Sequence, residues 1–189
     1  MKTISKGILI LAVIAALMTP SFDTEAKTVY KYATKTVQLK QRTNDRSKTM
    51  KTVKVHTKLK ITHEWKVWCR VEWNGKNYYT HKAYLHSQPC ANKYTPKYFK
   101  RRGVIRWGGK KWTWYTQRQL PGKGLKIPGR HLDKKLGYVL DKDGYIVLAS
   151  SIGYKKQRKI LPTPFGRYGK VYDTNGTWNY GWRDVYTNW

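Results

Sequence analysis

Apolar and polar residues alternate in short bursts along most of this chain. Val53-Lys54-Val55 and Leu59-Lys60-Ile61 each put apolar side chains at every second position, and Val67-Trp68-Cys69-Arg70-Val71-Glu72-Trp73 extends the pattern. A period of two predicts half-buried strands, because successive side chains leave opposite faces of a sheet. Asn74-Gly75 follows at once and predicts a tight hairpin into Tyr78-Tyr79, since both residues tolerate positive φ. Lys82-Ala83-Tyr84-Leu85 closes this unit. No long stretch carries a 3.6-residue apolar period. Thr, Tyr, Trp and Val are abundant, and Gly, Asn and Pro punctuate the short runs. The prediction is an all-β protein made of small barrels.

Residues 7–18 break the pattern with one continuous apolar run. Lys2 and Lys6 precede it and Thr24-Glu25-Ala26 follows it. A basic start, a short apolar stretch and a small-residue cleavage site predict a secretory signal helix over 1–26, removed after export. The run is short for a membrane span, so membrane contact is expected only through this segment. Four parts are expected: the signal peptide, a first module over 27–88, a linker over 89–102 and a second module over 103–189. Pro89, Asn92, Pro96 and the basic run Lys100-Arg101-Arg102 mark the linker.

Charge narrows the choice of partner. The chain has 39 Lys and Arg against 10 Asp and Glu, a net charge of +29. Cleavage after Ala26 removes two residues of each sign and leaves that excess unchanged. So large a charge exceeds what solubility needs and predicts adsorption to polyanions. For an exported protein these are anionic cell-wall polymers, with no specific nucleic acid expected. Cys69 and Cys90 are the two cysteines, and in an oxidising compartment they are a candidate disulfide. Such a bond would close a loop of about 20 residues and contribute roughly 3 kcal/mol in the chain-entropy model. The histidines are scattered and no Cys/His cluster has metal-ligand spacing, so neither a metal nor a cofactor is expected. Asp141-x-Asp143-Gly144 lacks the later ligands of a calcium loop and reads as a β-turn.

The last third carries the candidate chemistry. Gly169-Lys170-Val171-Tyr172-Asp173 is a strand ending in an acid, Thr174-Asn175-Gly176 a turn, and Asp184-Val185-Tyr186 a strand opened by an acid. Where carboxylates are this scarce, two at ordered strand edges are candidates for proton transfer on a polysaccharide. Breaking a glycosidic bond needs a carboxylic acid to protonate the leaving oxygen. A hydrolase adds a second carboxylate, whereas a lytic transglycosylase uses one group as acid and then base. The bland alternative is that Asp173 caps a turn and Asp184 pins a strand start through backbone N–H groups. Trp178, Tyr180 and Trp182 alternate between the two acids and would share a face for sugar rings if extended. Trp112 and Trp114 read as core. His131, the single histidine of this module, and Arg130 beside it are candidates for substrate contact. Ser150 and Ser151 have no base at readable spacing, which argues against a Ser/His/Asp triad.

Two resemblances add to this reading. Trp68-x-x-Val71, Asn74-Gly75-Lys76, Tyr79 and Ala83-Tyr84-Leu85 resemble the closing half of a bacterial SH3 domain. That resemblance implies an SH3-like barrel tethering an exported protein to the cell wall. Val104-Ile105-Arg106-Trp107-Gly108-Gly109, Asp143-Gly144-Tyr145-Ile146-Val147-Leu148-Ala149 and the closing acids resemble the 3D domain. Its relatives are the double-psi β-barrels of membrane-bound lytic transglycosylase A, rare lipoprotein A and the expansins. The resemblance implies that Asp173 and Asp184 match the second and third aspartates of that family, the third aligning with the transglycosylase acid. The chain departs from the pattern twice. Val147-Leu148-Ala149-Ser150-Ser151 has no acid where the first family aspartate falls, and Asp173-Thr174-Asn175-Gly176 replaces Asp-Thr-Gly-Gly.

The expectation is therefore a secreted, wall-associated monomer that binds peptidoglycan and its anionic polymers. It cleaves glycan strands as a transglycosylase or glycosidase with Asp184 as acid/base. Two alternatives stand beside it: a non-catalytic, expansin-like or wall-binding protein, and a cationic factor acting by charge on anionic polymers or membranes. The sequence leaves open whether the chain is an enzyme.

Overall fold

The computed structural model describes residues 28–116, 126–151, 158–175 and 181–189. Within them the chain is all-β, as its alternation predicts, with two sheets and one short α-helix. The expected signal segment lies outside the described residues.

The first sheet holds β1 (Val29–Ala33), β2 (Val37–Lys40), β3 (Thr49–Val53), β4 (Lys58–Glu64), β5 (Trp68–Trp73), β6 (Lys76–His81) and β7 (Leu85–His86). Their order is β3-β2-β6-β5-β4-β1-β7, and every pairing is antiparallel. Alternation reads directly into burial here. Leu59 and Ile61 on β4 and Cys69 and Val71 on β5 point inward, joining Ala33, Val37, Leu39, Val53 and Leu85 in one core. Asn74 and Gly75 adopt φ of 50° and 71° and join β5 to β6, the two-residue hairpin expected of that pair.

The second sheet holds β8 (Val104–Trp107), β9 (Lys110–Thr116), β10 (His131–Leu132), β11 (Val139–Leu140), β12 (Ile146–Ala149), β13 (Ile160–Leu161), β14 (Gly169–Asp173) and β15 (Trp182–Thr187). The order β10-β11-β12-β15-β9-β8 is extended by β14 on β12 and β13 on β14. Two pairings, β12 with β14 and β9 with β15, are parallel. All four residues of β12 are buried, so it shows no alternation in exposure. Ile146 and Leu148 enter a large core with Phe99, Ile105, Trp112 and Val185, while Val147 and Ala149 enter a smaller cluster with Val139, Tyr172 and Tyr186. A central strand covered on both faces reads as a continuous apolar run. Gly169 belongs opposite it, because a Cβ there would lie 2.3 Å from a Leu148 methyl.

The segment 89–102, expected to be a linker, is part of the second unit. The helix α1 (Pro96–Arg102) is capped by the Thr95 side chain, opened by Pro96 and ended by Gly103. It buries Phe99 against Phe165, with ring centroids 4.8 Å apart. Ala91, Lys93 and Tyr94 donate backbone bonds to Thr163 and Pro164. The apolar Phe99 amid Pro and Lys hid this docking in the sequence.

The two units also bond to each other. The Thr34 hydroxyl lies 2.6 Å from the Tyr145 hydroxyl, Lys35 reaches Asp143 at 3.0 Å, and His56 Nε2 lies 2.9 Å from the Gly166 carbonyl. The expected disulfide is not formed: Cys69 and Cys90 are free thiols. Cys69 is sealed in the first core, and Cys90 lies on the second unit, beside the Thr163 backbone. The 20-residue spacing runs from the first core to the second unit.

Candidate active site

Register places the two candidate carboxylates. β14 takes one edge of β12 over its whole length, and β15 takes the other edge at its end. Asp173 on β14 and Asp184 on β15 both pair with Ala149, one from each side. A bulge makes this so. Leu148 pairs with Val171, yet Ala149 pairs with Asp173, so Tyr172 is the extra residue and Asp173 moves into the row. A bulge re-aims a strand's side chains. Here Tyr172 joins the small cluster over Ala149 while Asp173 reaches the same face to accept a bond from Tyr186.

The row continues through β9 and β8. Asp184 pairs with Thr113, and Thr113 with Val104. Paired residues share a face, and residues two apart on a strand share it too. One face of β9 and β15 therefore carries Lys111, Thr113 and Tyr115 beside Trp182, Asp184 and Tyr186. The contacts agree. Thr113 Oγ1 donates to Asp184 Oδ1, Lys111 Nζ sits 3.6 Å from the Trp182 ring centre, and Tyr115 packs edge-on to Tyr186 at 5.8 Å. The opposite face, with Trp112 and Val185, belongs to the large core.

Both acids are half-buried. Asp173 accepts from the Tyr186 hydroxyl at Oδ2 and from the Thr174 backbone N–H at Oδ1, 2.7 Å away. Tyr186 is held far above the usual phenol range by burial and by its bond to Asp173, so it stays a neutral donor. Arg130 interacts electrostatically with Tyr186, and burial lowers its guanidinium below the usual arginine range. The site thus has two carboxylates on one face, a phenol that orients one, a hydroxyl that orients the other, and a nearby cation. Such a set can donate and recover a proton at a bound polyol.

The predicted site residues divide clearly. Asp173, Asp184, Arg130 and Trp182 share this neighbourhood. His131 stands on exposed β10, two strands from β12, and its Nδ1 lies 3.0 Å from the Gly129 carbonyl. Its ring partner is local backbone, and no contact links it to either acid. Trp178 and Tyr180 lie outside the described residues. Tyr186 and Thr113 were missed by sequence reasoning. Tyr186 had a signal, since it lies two residues beyond Asp184 on the same strand face. Thr113 had none, because only the parallel pairing of β9 with β15 brings it in.

Asp141 plays a different part. It is fully buried, and its Oδ1 accepts from the backbone N–H of Asp143 and Tyr145, at 2.9 and 3.0 Å. Its Oδ2 accepts from the Tyr172 hydroxyl at 2.7 Å. This is the expected β-turn, with the buried carboxylate satisfied within the fold. Among the described residues no group of three His, Cys, Asp or Glu side chains could hold a metal ion.

A second cluster lies on the first unit. Trp65, Trp68 and Tyr79 line an open groove of about 540 Å³ with Gln41, Arg42 and Thr43. Trp65 is 42 % exposed, which is unusual for so large an apolar ring. Comparison with known proteins gives no match: no family model, no curated protein and no solved structure matches the chain.

Proposed function

We propose that this is a secreted, cell-wall-active protein that binds peptidoglycan and cleaves its glycan strands, with Asp184 as general acid and base. The observation that carries the reading is the pairing of Asp173 and Asp184 with the same residue, Ala149. Two of the chain's few acids are drawn to one sheet face by a bulge. A turn-capping role for Asp173 needs only its bond to Thr174, and does not explain the second bond from Tyr186.

In this mechanism Asp184 protonates the glycosidic oxygen as the bond to the anomeric carbon breaks. It then takes a proton from the attacking hydroxyl, either the sugar's own 6-hydroxyl or water. Thr113 orients Asp184, and Asp173 with Tyr186 supports the polyol on the other side. Trp182 offers a ring at the entrance. The finer fold reading follows: the mixed sheet with two parallel pairings supports a double-psi β-barrel, and the antiparallel first unit supports an SH3-like module. The groove at Trp65, Trp68 and Tyr79 is that module's wall-binding face.

One observation favours a binding or wall-loosening protein instead. β12 runs into Ser150, whose backbone bonds Asp173 at 2.9 Å, with no third acid. Digesting purified peptidoglycan and weighing the soluble products decides between the two. Anhydro-muropeptides from wild type and none from Asp184→Asn would support a lytic transglycosylase. Reducing-end products would mean hydrolysis. No products from wild type, with the protein sedimenting on the wall, would overturn cleavage.

A further inference from the structure

The free edge of the second sheet carries a line of cations, three of them beside aromatic rings and, among the described residues, none beside an acid. Tyr94 and Tyr98 stack nearly parallel, with centroids 5.5 Å apart and planes 10° from each other. Lys93 Nζ lies 5.5 Å from the Tyr94 ring centre, and Arg101 Cζ lies 5.8 Å from that of Tyr98. The Tyr94 hydroxyl donates to the Arg106 carbonyl at 3.2 Å, which ties this stack to β8. Arg106 pairs with Lys111, and Lys111 pairs with Trp182 and sits over its ring. The line therefore runs from α1 across β8 and β9 to the strand that carries Asp184.

Six other cations of this protein are neutralised. Lys31, Lys35, Lys60, Lys82, Arg167 and Lys170 each meet a carboxylate. Among the described residues Lys93, Arg101, Arg106 and Lys111 meet none. A cation over a ring face keeps its full charge and loses much of its side-chain freedom. Binding an anion then costs less ordering entropy. Helix α1 adds Lys97, Lys100 and Arg102, with no acid within its seven residues.

We propose that this edge is a docking strip for a phosphodiester-linked anionic polymer of the cell wall, led along it toward the Asp184 face. A line of separate cations matches a partner with a charge in every repeat. Single-stranded nucleic acid has such a charge pattern but also needs ring faces for its bases. Here Tyr94 and Tyr98 stack on each other, so one face of each ring is taken, while Tyr98 stays 38 % exposed, and direct competition with an oligonucleotide separates the two polymers. The identity of the polymer rests on the wall-active reading; the anion strip does not depend on cleavage.

The test is equilibrium binding of the whole chain to a purified glycerol-phosphate polymer, free of glycan, across a salt series. The strip variant Arg101→Gln/Arg106→Gln/Lys111→Gln is compared with Lys48→Gln/Lys51→Gln/Lys54→Gln, which removes the same charge from the exposed end of the first sheet. The strip variant is expected to lose at least about tenfold in affinity, and its salt slope to fall by about one per cation removed. The control is expected to lose less than about threefold. Arg101→Lys/Arg106→Lys is expected to restore most of the binding, which separates charge from misfolding. Equal losses in the two triple variants would overturn the strip. So would tighter binding of a single-stranded oligonucleotide of equal charge. Because no bond is cut, failure here leaves the glycan reading standing, and an inactive Asp184 leaves the strip standing.

Discussion

The two sheets follow different rules. In the first, every pairing is antiparallel: β4, β5 and β6 form a meander, and β4 and β5 alternate between core and solvent. In the second, the decisive pairs are distant. β9 and β15 pair in parallel although Thr113 and Asp184 stand 71 residues apart. Parallel neighbours need a crossover, and their strands are covered on both faces. The two candidate acids gather where the distant pairs meet, because there residues from separate segments share one face. The first sheet, antiparallel throughout, exposes an aromatic groove instead.

That contrast can be broken most sharply at the central strand of the second sheet. Leu148→Ala empties a fully buried site in the large core and should cost about 2–5 kcal/mol, read as a lower denaturation midpoint. The first-unit counterpart Val71→Ala should cost less, since fewer atoms are removed. A larger loss at Val71 than at Leu148 would contradict the view that the second sheet depends more on its central strand.

Next in size is the joint between the units. Thr34→Val removes the hydroxyl that bonds both the Tyr84 carbonyl and the buried Tyr145 hydroxyl. Leaving that phenol unpaired should cost about 1–3 kcal/mol. It should also split unfolding into two transitions, followed by tryptophan fluorescence and by calorimetry. An unchanged single transition would show that the joint contributes little.

The thiols give a smaller, pH-dependent contrast. Burial pushes Cys69 up to about 11, from an ordinary value of 9.0, and Cys90 up to about 12. A thiol that holds its proton more tightly when folded contributes stability that is fully present below pH 9.0 and is lost as pH rises toward those values. Cys69→Ala should therefore flatten the fall in denaturation midpoint between pH 9 and 11 relative to wild type. At pH 8 both thiols should react with iodoacetamide far more slowly than a free cysteine. Fast labelling of the native protein would contradict their burial.

Smallest is the effect of Tyr186→Phe. It removes the donor to Asp173 without touching Asp184, and turnover should fall about tenfold, the size of one charge-assisted bond. Its pH–rate profile should shift as well, which a purely structural role for the hydroxyl would not cause.

How much of this was legible in the chain follows from the same contrast. Alternation at Leu59-Lys60-Ile61 and the Asn74-Gly75 hairpin were readable because each is set by a few adjacent residues. Asp173 and Asp184 were readable as candidates from their strand-edge positions. Their meeting at Ala149 was not, because a one-residue bulge at Tyr172 decides it and leaves no mark in a period of two. His131 stood out as the single histidine of its module, and that says nothing about which strand carries it. The docking of 89–102 hinged on one apolar residue, Phe99, in an otherwise basic and proline-bearing stretch. Cys69 and Cys90 were read by spacing, and spacing ignores that Cys69 enters the first core while Cys90 sits half-buried on the second unit.

The central claim is that the bulge makes Asp173 and Asp184 one site. The direct test is a double-mutant cycle on muropeptide release by wild type, Asp173→Asn, Asp184→Asn and the double variant, each checked for an unchanged melting midpoint. The account predicts that Asp184→Asn loses about 10²–10⁴-fold. It also predicts that adding Asp173→Asn costs almost nothing further, since residues acting as a unit are not additive. Independent, additive losses, or full turnover in Asp184→Asn, would contradict it.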